Sequence, residues 1–215
     1  MKVIKPSYEI LSEFEGIEML RDLEIAGRTC YKSEDKITDE SAIAFVKMLI
    51  HERGHESVLE HKSVTVRIIC DRGVSHEIVR HRIASYSQES TRYCNYSKDK
   101  FGNELTFIEP NFFHEDRMGN PSQLMSMWRV AMEASENMYL TMIRHGAKPE
   151  QARTVLPNSL KTEIVCTYNL REWRHFFKLR TSNKAHPQMR EITVPMLYDF
   201  KHLIPVVFDD IDVTK

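Results

Sequence analysis

Between Arg80 and Tyr93 the chain crowds Arg80, Arg82 and Arg92, one histidine, His81, and the hydroxyls of Ser85, Ser87, Ser90 and Thr91 into fourteen positions. Guanidinium forks and hydroxyls are natural donors to phosphate, so the chemistry is anion binding. The segment holds no glycine and is not a Walker-type loop. Adjacent helical residues point about 100° apart, so Arg80, His81 and Arg82 cannot all face one partner on a helix. A solvated basic loop is the alternative. The apolar Ile78, Val79 and Ile83 threaded through the stretch favour the anion site. A second candidate is Arg180. With Trp173 and Phe177 it follows i, i+4, i+7 spacing, which puts its guanidinium on the apolar face of a helix. There its charge needs a carboxylate, a phosphate or a planar anionic partner. Arg171, Arg174 and Lys178 read as the solvated side of that helix. Arg153 raises the same question as Arg180 with less force. A third candidate, His51-Glu52-Arg53-Gly54-His55, fits the letters of the zinc-protease motif, with Glu60 and His61 as further ligands. That motif needs one helix running through both histidines, and Gly54 interrupts it, so a frayed helix end is preferred and no metal is expected. There is no Gly-x-Ser-x-Gly elbow and no Gly-x-Gly-x-x-Gly fingerprint.

These side chains must be carried by elements the pattern makes legible. Short strands are expected at Val3–Ile4 and Tyr8–Leu11, and a helix from about Glu15 to Cys30. A helix capped by Thr38 buries Ala42, Ile43, Val46, Leu49 and Ile50 and stops at Gly54. A strand from about Val58 to Asp71 leads into a short helix holding Val74, Ile78 and Val79. Leu105–Ile108 is a strand. The longest helix follows Pro121 and Ser122 and reaches about His145, with Leu124, Trp128, Ala131, Ser135, Met138 and Met142 as its stripe. Pro149 starts a brief turn. Leu160–Tyr168 alternates as a strand. Helices Leu170–Thr181 and Met189–Leu203 close the chain. Few, widely separated strands among helices imply an α+β fold: a single domain, residues 1–215, with a central sheet flanked by helices.

Composition narrows the partners. The chain has 215 residues, 30 basic and 31 acidic, a net charge of −1 and a 41% hydrophobic share. Near-neutrality argues against nucleic acid as a partner, although a binding module on Arg80–Arg92 remains an alternative. No apolar run reaches membrane-spanning length, so no membrane is expected. Cys30, Cys70, Cys94 and Cys166 lie at long, irregular spacings, which suits reduced thiols in a cytoplasmic protein.

Arg80-His81-Arg82, seven residues, then Ser90 resembles the signature of flavin-dependent thymidylate synthases. Gly54-His55-Glu56-Ser57-x-x-Glu60-His61 is similar to that family's histidine-bearing loop. Ala152-Arg153-x-Val155-Leu156-Pro157 and Asn169-x-Arg171-x-x-x-His175-x-x-x-Leu179-Arg180 resemble its C-terminal blocks. Four blocks in order over most of the chain make the likeness specific. The resemblance implies a homotetramer with active sites at subunit interfaces, each built from several chains around FAD. It implies reductive methylation of dUMP to dTMP, with carbon from methylenetetrahydrofolate and hydride from flavin reduced by NADPH. By the same resemblance Arg180 contacts the uracil edge and favours its nucleophilic anion, and His55 lies near the flavin ring and the folate. Ser57, Arg80, His81, Arg82, Gln88, Asn169, Arg171 and His175 match flavin-contacting positions. Glu77, Arg80, Gln88, Glu89, Ser90, Thr91, Arg92, Arg153 and Arg180 match substrate-binding positions, with Ser90 and the arginines around the phosphate. Three positions depart from the common pattern. Glu77 stands where members often carry glutamine, Gln88 where many carry glutamate, and His175 where some carry asparagine.

Overall fold

A computed structural model describes residues 1–113 and 122–213. Pro121, expected just before the longest helix, lies outside the described residues. In chain order the elements are β1 (Lys2–Ile4), β2 (Ser7–Ile10), α1 (Gly16–Tyr31), α2 (Ser41–Lys47), β3 (Ser63–Asp71), α3 (Arg72–Ile78), β4 (Ala84–Gln88), β5 (Thr106–Ile108), α4 (Gln123–Arg144), α5 (Pro149–Ala152), β6 (Lys161–Asn169), α6 (Leu170–Arg180) and α7 (Pro187–Leu203). The α+β class holds. β1 pairs parallel to β5, with Lys2 opposite Thr106 and Ile4 opposite Ile108. The larger sheet has strand order β2-β3-β6-β4. Its strands β3 and β6 show the period-two burial that their sequences dictate: Val64, Val66, Ile68 and Cys70 are inside, as are Thr162, Ile164, Cys166 and Tyr168. No helix among the described residues is long and apolar enough to cross a membrane.

The chain's contacts form two compact units. The first comprises Met1–Ser7, Ile68–Arg80 and Ser87–Ile164, and the second Tyr8–Arg67, His81–Tyr86 and Val165–Lys215. In the first, a core of Tyr96, Leu105, Phe107, Met132, Tyr139, Ala152 and Leu160 forms beside α4. The Ser122 hydroxyl caps this helix by accepting the Met125 N–H at 3.2 Å. Its buried stripe is Met125, Met132, Glu136 and Tyr139; of the expected stripe, Trp128 and Met142 pack against this core, whereas Leu124 and Met138 turn outward, at 57% and 52% exposed. An acid confuses the pattern. Glu136 belongs inside because its carboxylate accepts the Leu105 N–H at 2.8 Å.

In the second unit Trp173, Phe176, Phe177, Phe200 and Phe208 pack into an aromatic core, with Trp173 and Phe177 ring centres 5.5 Å apart. The indole N–H of Trp173 donates to the Val64 carbonyl at 3.0 Å. Gly27 lets α1 meet α2, since a Cβ there would lie 2.7 Å from the Phe45 ring and 2.8 Å from Leu49. The helix α2 starts at Ser41, and Thr38 does not cap it; the Thr38 carbonyl instead accepts the Ser41 hydroxyl at 3.1 Å. Beyond α2 the turns widen to π geometry over Met48–Glu52 and end where Gly54 adopts φ +68°. The next strand begins at Ser63, not near Val58. Residues Glu56–His61 form a 3-10 turn that buries Val58 and Leu59, so apolar burial there reflects a turn rather than strand alternation.

Candidate active site

Strand β6 passes directly into α6, and Asn169 makes the junction. Its side-chain oxygen accepts the Glu172 N–H at 2.8 Å, satisfying one of the helix's orphan donors. This cap fixes the first turn of α6 and with it Glu172. A turn later comes His175, and Arg180 ends the helix.

The connection between α3 and β4 brings His81 to this helix. Of the three adjacent residues, only His81 is buried, at 4% exposure, and Arg80 and Arg82 face out. That divergence is what helical and turn geometry require of neighbours. His81 Nδ1 lies 2.8 Å from a Glu172 carboxylate oxygen, and the Arg180 Nε–H donates to His81 Nε2 at 3.2 Å. Arg180 must donate, so Nε2 carries no proton and Nδ1 does. The ring is neutral. Burial holds its pKa below the ordinary imidazole value; Arg180 and His175 push the same way, and Glu172 opposes them. Phe176 packs edge-on at 5.0 Å between ring centres. The Tyr86 hydroxyl donates to the His81 carbonyl at 2.5 Å and sits 3.1 Å from the Tyr168 hydroxyl. Burial pushes the Tyr86 phenol up to about 12. His81, Glu172 and His175 bring ligand-type atoms within 4.8 Å of one another. Both nitrogens of His81 are already committed, one of them to a cation, so the cluster is a hydrogen-bonded chain rather than a metal cage.

Beside it lies a cavity of about 510 Å3, lined by Ile83, Asn169, Arg171, Glu172, His175 and Lys178 among others. Arg171 on its wall pairs with Glu60 at 2.5 Å. Arg174 contradicts the expectation of a solvated side chain. Its side chain is 2% exposed, held by Glu56 at 2.9 Å and by both oxygens of Asp210, at 2.6 and 2.8 Å. The partners come from the turn after Gly54 and from the C-terminal segment, so no spacing within α6 reveals them. Burial alone would raise the Asp210 carboxyl, but Arg174, Lys178 and His51 together hold it below the usual carboxylate range. Arg180, read as sharing the apolar face, is half-buried.

The two histidines of the zinc-like motif part company. His51 Nε2 lies 2.6 Å from the Val206 carbonyl. His55 is exposed, its Nδ1 2.8 Å from the Tyr31 hydroxyl and its ring stacked on Tyr31. The Arg53 guanidinium sits 5.4 Å from the Tyr31 ring centre. Tyr31 carried no sequence signal, since it closes a helix whose pattern reads as simple packing. Ser57 lies exposed in the following turn.

The other candidates belong to the first unit. Glu77 is half-buried on α3, and its carbonyl accepts the Arg80 N–H at 3.2 Å. The Gln88 amide donates to the Ser75 and Thr162 hydroxyls, at 2.9 and 3.1 Å. Glu89 is held by the Tyr96 hydroxyl at 2.9 Å and by Lys161 at 2.8 Å, on a cavity of about 400 Å3 that Lys2 and Lys100 also line. Thr91 is buried, Ser90 half-buried, and Arg92 and Arg153 are exposed. Neither cavity has Arg80, Arg92, Arg153 or Arg180 in its wall. Strand β4, which aims Gln88, had no sequence signal because its five residues, Ala84 to Gln88, include only one large apolar side chain, Tyr86.

Residues 17–206 match the family model described as thymidylate synthase complementing protein. The chain is 36% identical over 180 residues to the flavin-dependent thymidylate synthase of Pyrococcus abyssi, covering 82% of this chain and 70% of that protein. It is 36% identical over 193 residues to the Geobacter sulfurreducens protein of the same name, covering 86% and 79%. For that of Mycolicibacterium gilvum the figures are 33% over 227 residues, covering 97% and 85%. Its fold is similar to the UMP/dUMP methylase PolB from Streptomyces cacaoi bound with 5-Br dUMP, with a TM-score of 0.76 at 24% identity, covering 97% and 96% of the two chains. This chain belongs to the flavin-dependent thymidylate synthase family.

Proposed function

We propose that the chain methylates dUMP to dTMP, with methylenetetrahydrofolate as carbon donor and FAD, reduced by NADPH, as hydride source. The observation that carries this reading is the match to flavin-dependent thymidylate synthases over most of the chain. The donor chemistry of the cavity beside α6 supports a flavin at its polar edges, Asn169 and His175; Arg171 and Lys178 are cations for a diphosphate once it displaces their acidic partners on the same wall, Glu60 and Glu56. When bound, the flavin supplies the hydride. The chain's own residues bind and orient. Ser57, Arg80, His81, Arg82, Gln88, Asn169, Arg171 and His175 face the flavin in this reading. Ser90, Arg92 and Arg153 hold the substrate phosphate, with Gln88, Glu89 and Thr91 lining the same nucleotide and Glu77 toward the ribose. Arg180 meets the uracil edge, where a fixed charge stabilises the developing anion. His55 flanks the flavin and folate.

The exposure of Arg80, Arg92 and Arg153, residues that the reading assigns to ligands, supports a site completed in a homotetramer. The free thiols suit a reducing cytoplasm. The purified protein should be yellow, release FAD on denaturation and form dTMP from dUMP when given methylenetetrahydrofolate and NADPH. A colourless protein without that turnover would overturn the reading.

A further inference from the structure

Glu172 carries none of the roles above, yet it stands at the root of the hydrogen-bonded chain that runs through His81 to Arg180. Its backbone is pinned by the Asn169 cap at 2.8 Å, and a carboxylate in the first turn of α6 is favoured by the helix dipole. Its side chain is 11% exposed and that of His81 2%, so the bond between them is shielded from water. A neutral imidazole has two tautomers. Only the one protonated at Nδ1 offers Nε2 as an acceptor, and only that one can receive the Arg180 Nε–H at 3.2 Å. The carboxylate accepts but cannot donate, so it selects this tautomer. Arginine otherwise has four side-chain torsions to lose, about 2 kcal/mol of rotamer freedom. Anchoring its Nε fixes the plane of the guanidinium and hence the direction of both terminal nitrogens.

We propose that Glu172 is a positioning residue: by locking the His81 tautomer it sets the orientation in which Arg180 meets the substrate. The orienting role rests on the function proposed above; the tautomer lock itself does not.

The experiment uses the full chain with its bound flavin, labelled with 15N in histidine. The His81 ring signals are assigned by their loss in His81→Gln. The wild-type ring should show a protonated Nδ1 and an unprotonated Nε2. In Glu172→Gln, whose carboxamide can donate as well as accept, that pattern should become mixed or reversed. The same variant should lose at least about tenfold in kcat, while KM for dUMP and flavin content stay within about twofold. In the His81→Gln background, Glu172→Gln should cost less than about a further twofold. A wild-type ring protonated at Nε2 overturns the proposal, even if Glu172→Gln does not fold. So does an unaltered ring spectrum in that variant, or losses that multiply in the double variant. Should the wild type fail to methylate dUMP, the ring spectra still decide the tautomer lock, and the failure falls on the proposed function.

Discussion

Arg174 and Arg180 sit less than two turns apart on α6 and meet opposite environments. Arg174 is enclosed by two carboxylates, which is what a permanently charged group requires when water is removed. Arg180 donates its Nε–H to a neutral ring, which orients the guanidinium. The first arginine therefore serves stability, and the second is the one that the proposed reading brings to the substrate. Arg174→Ala should lower unfolding free energy by about 3 kcal/mol, because it removes the buried cation between Glu56 and Asp210 and leaves them the longer contacts of Lys178, at 3.7 Å each. Urea denaturation measures this, and Arg180→Ala should cost less than half as much by the same assay. At this scale helical spacing gave the half-buried place of Arg180, and adjacency along the chain implied the divergence of Arg80, His81 and Arg82. It hid Arg174, whose partners lie 118 and 36 positions away.

A strand running straight into a helix leaves little slack, and β6 into α6 depends on the cap between them. Asn169→Ala should cost about 1 kcal/mol, and Asn169→Asp, whose carboxylate caps as well, only a few tenths. If Asn169 also contacts flavin, both variants should weaken flavin retention, which a fluorescence titration separates from the stability change. Elements whose alternation is local were legible: β3, β6 and α6. The expected row of α4 is right at its edge, Trp128 and Met142, and misses its centre because Glu136, a polar letter, is held inside by the backbone donor of Leu105, a long-range partner. Strand β4 is held by its one sheet neighbour, β6, rather than by its own composition.

Across the whole molecule the motif blocks are far apart in sequence, and their meaning came from their order rather than from any one spacing. What no spacing supplies is the ionisation of the groups they bring together, and this governs stability in acid. His81 has a folded pKa below its ordinary 6.5, so the unfolded chain binds a proton more readily. Its contribution is intact above 6.5 and declines as pH falls below that value. The groups facing the ring are Glu172, His175 and Arg180 from α6 and Tyr168 from β6, while Tyr86 from β4 donates to the His81 carbonyl. Of these, only Glu172 favours the protonated ring, and burial outweighs it. Asp210, also depressed, adds a second loss below its ordinary 3.8 as the folded carboxylate takes up its proton. Urea midpoints should therefore fall in two stages on acidification. His81→Gln should flatten the first stage, and Asp210→Asn the second. A first stage that persists in His81→Gln would show that another group titrates there and that the His81 ring is not held neutral by its surroundings.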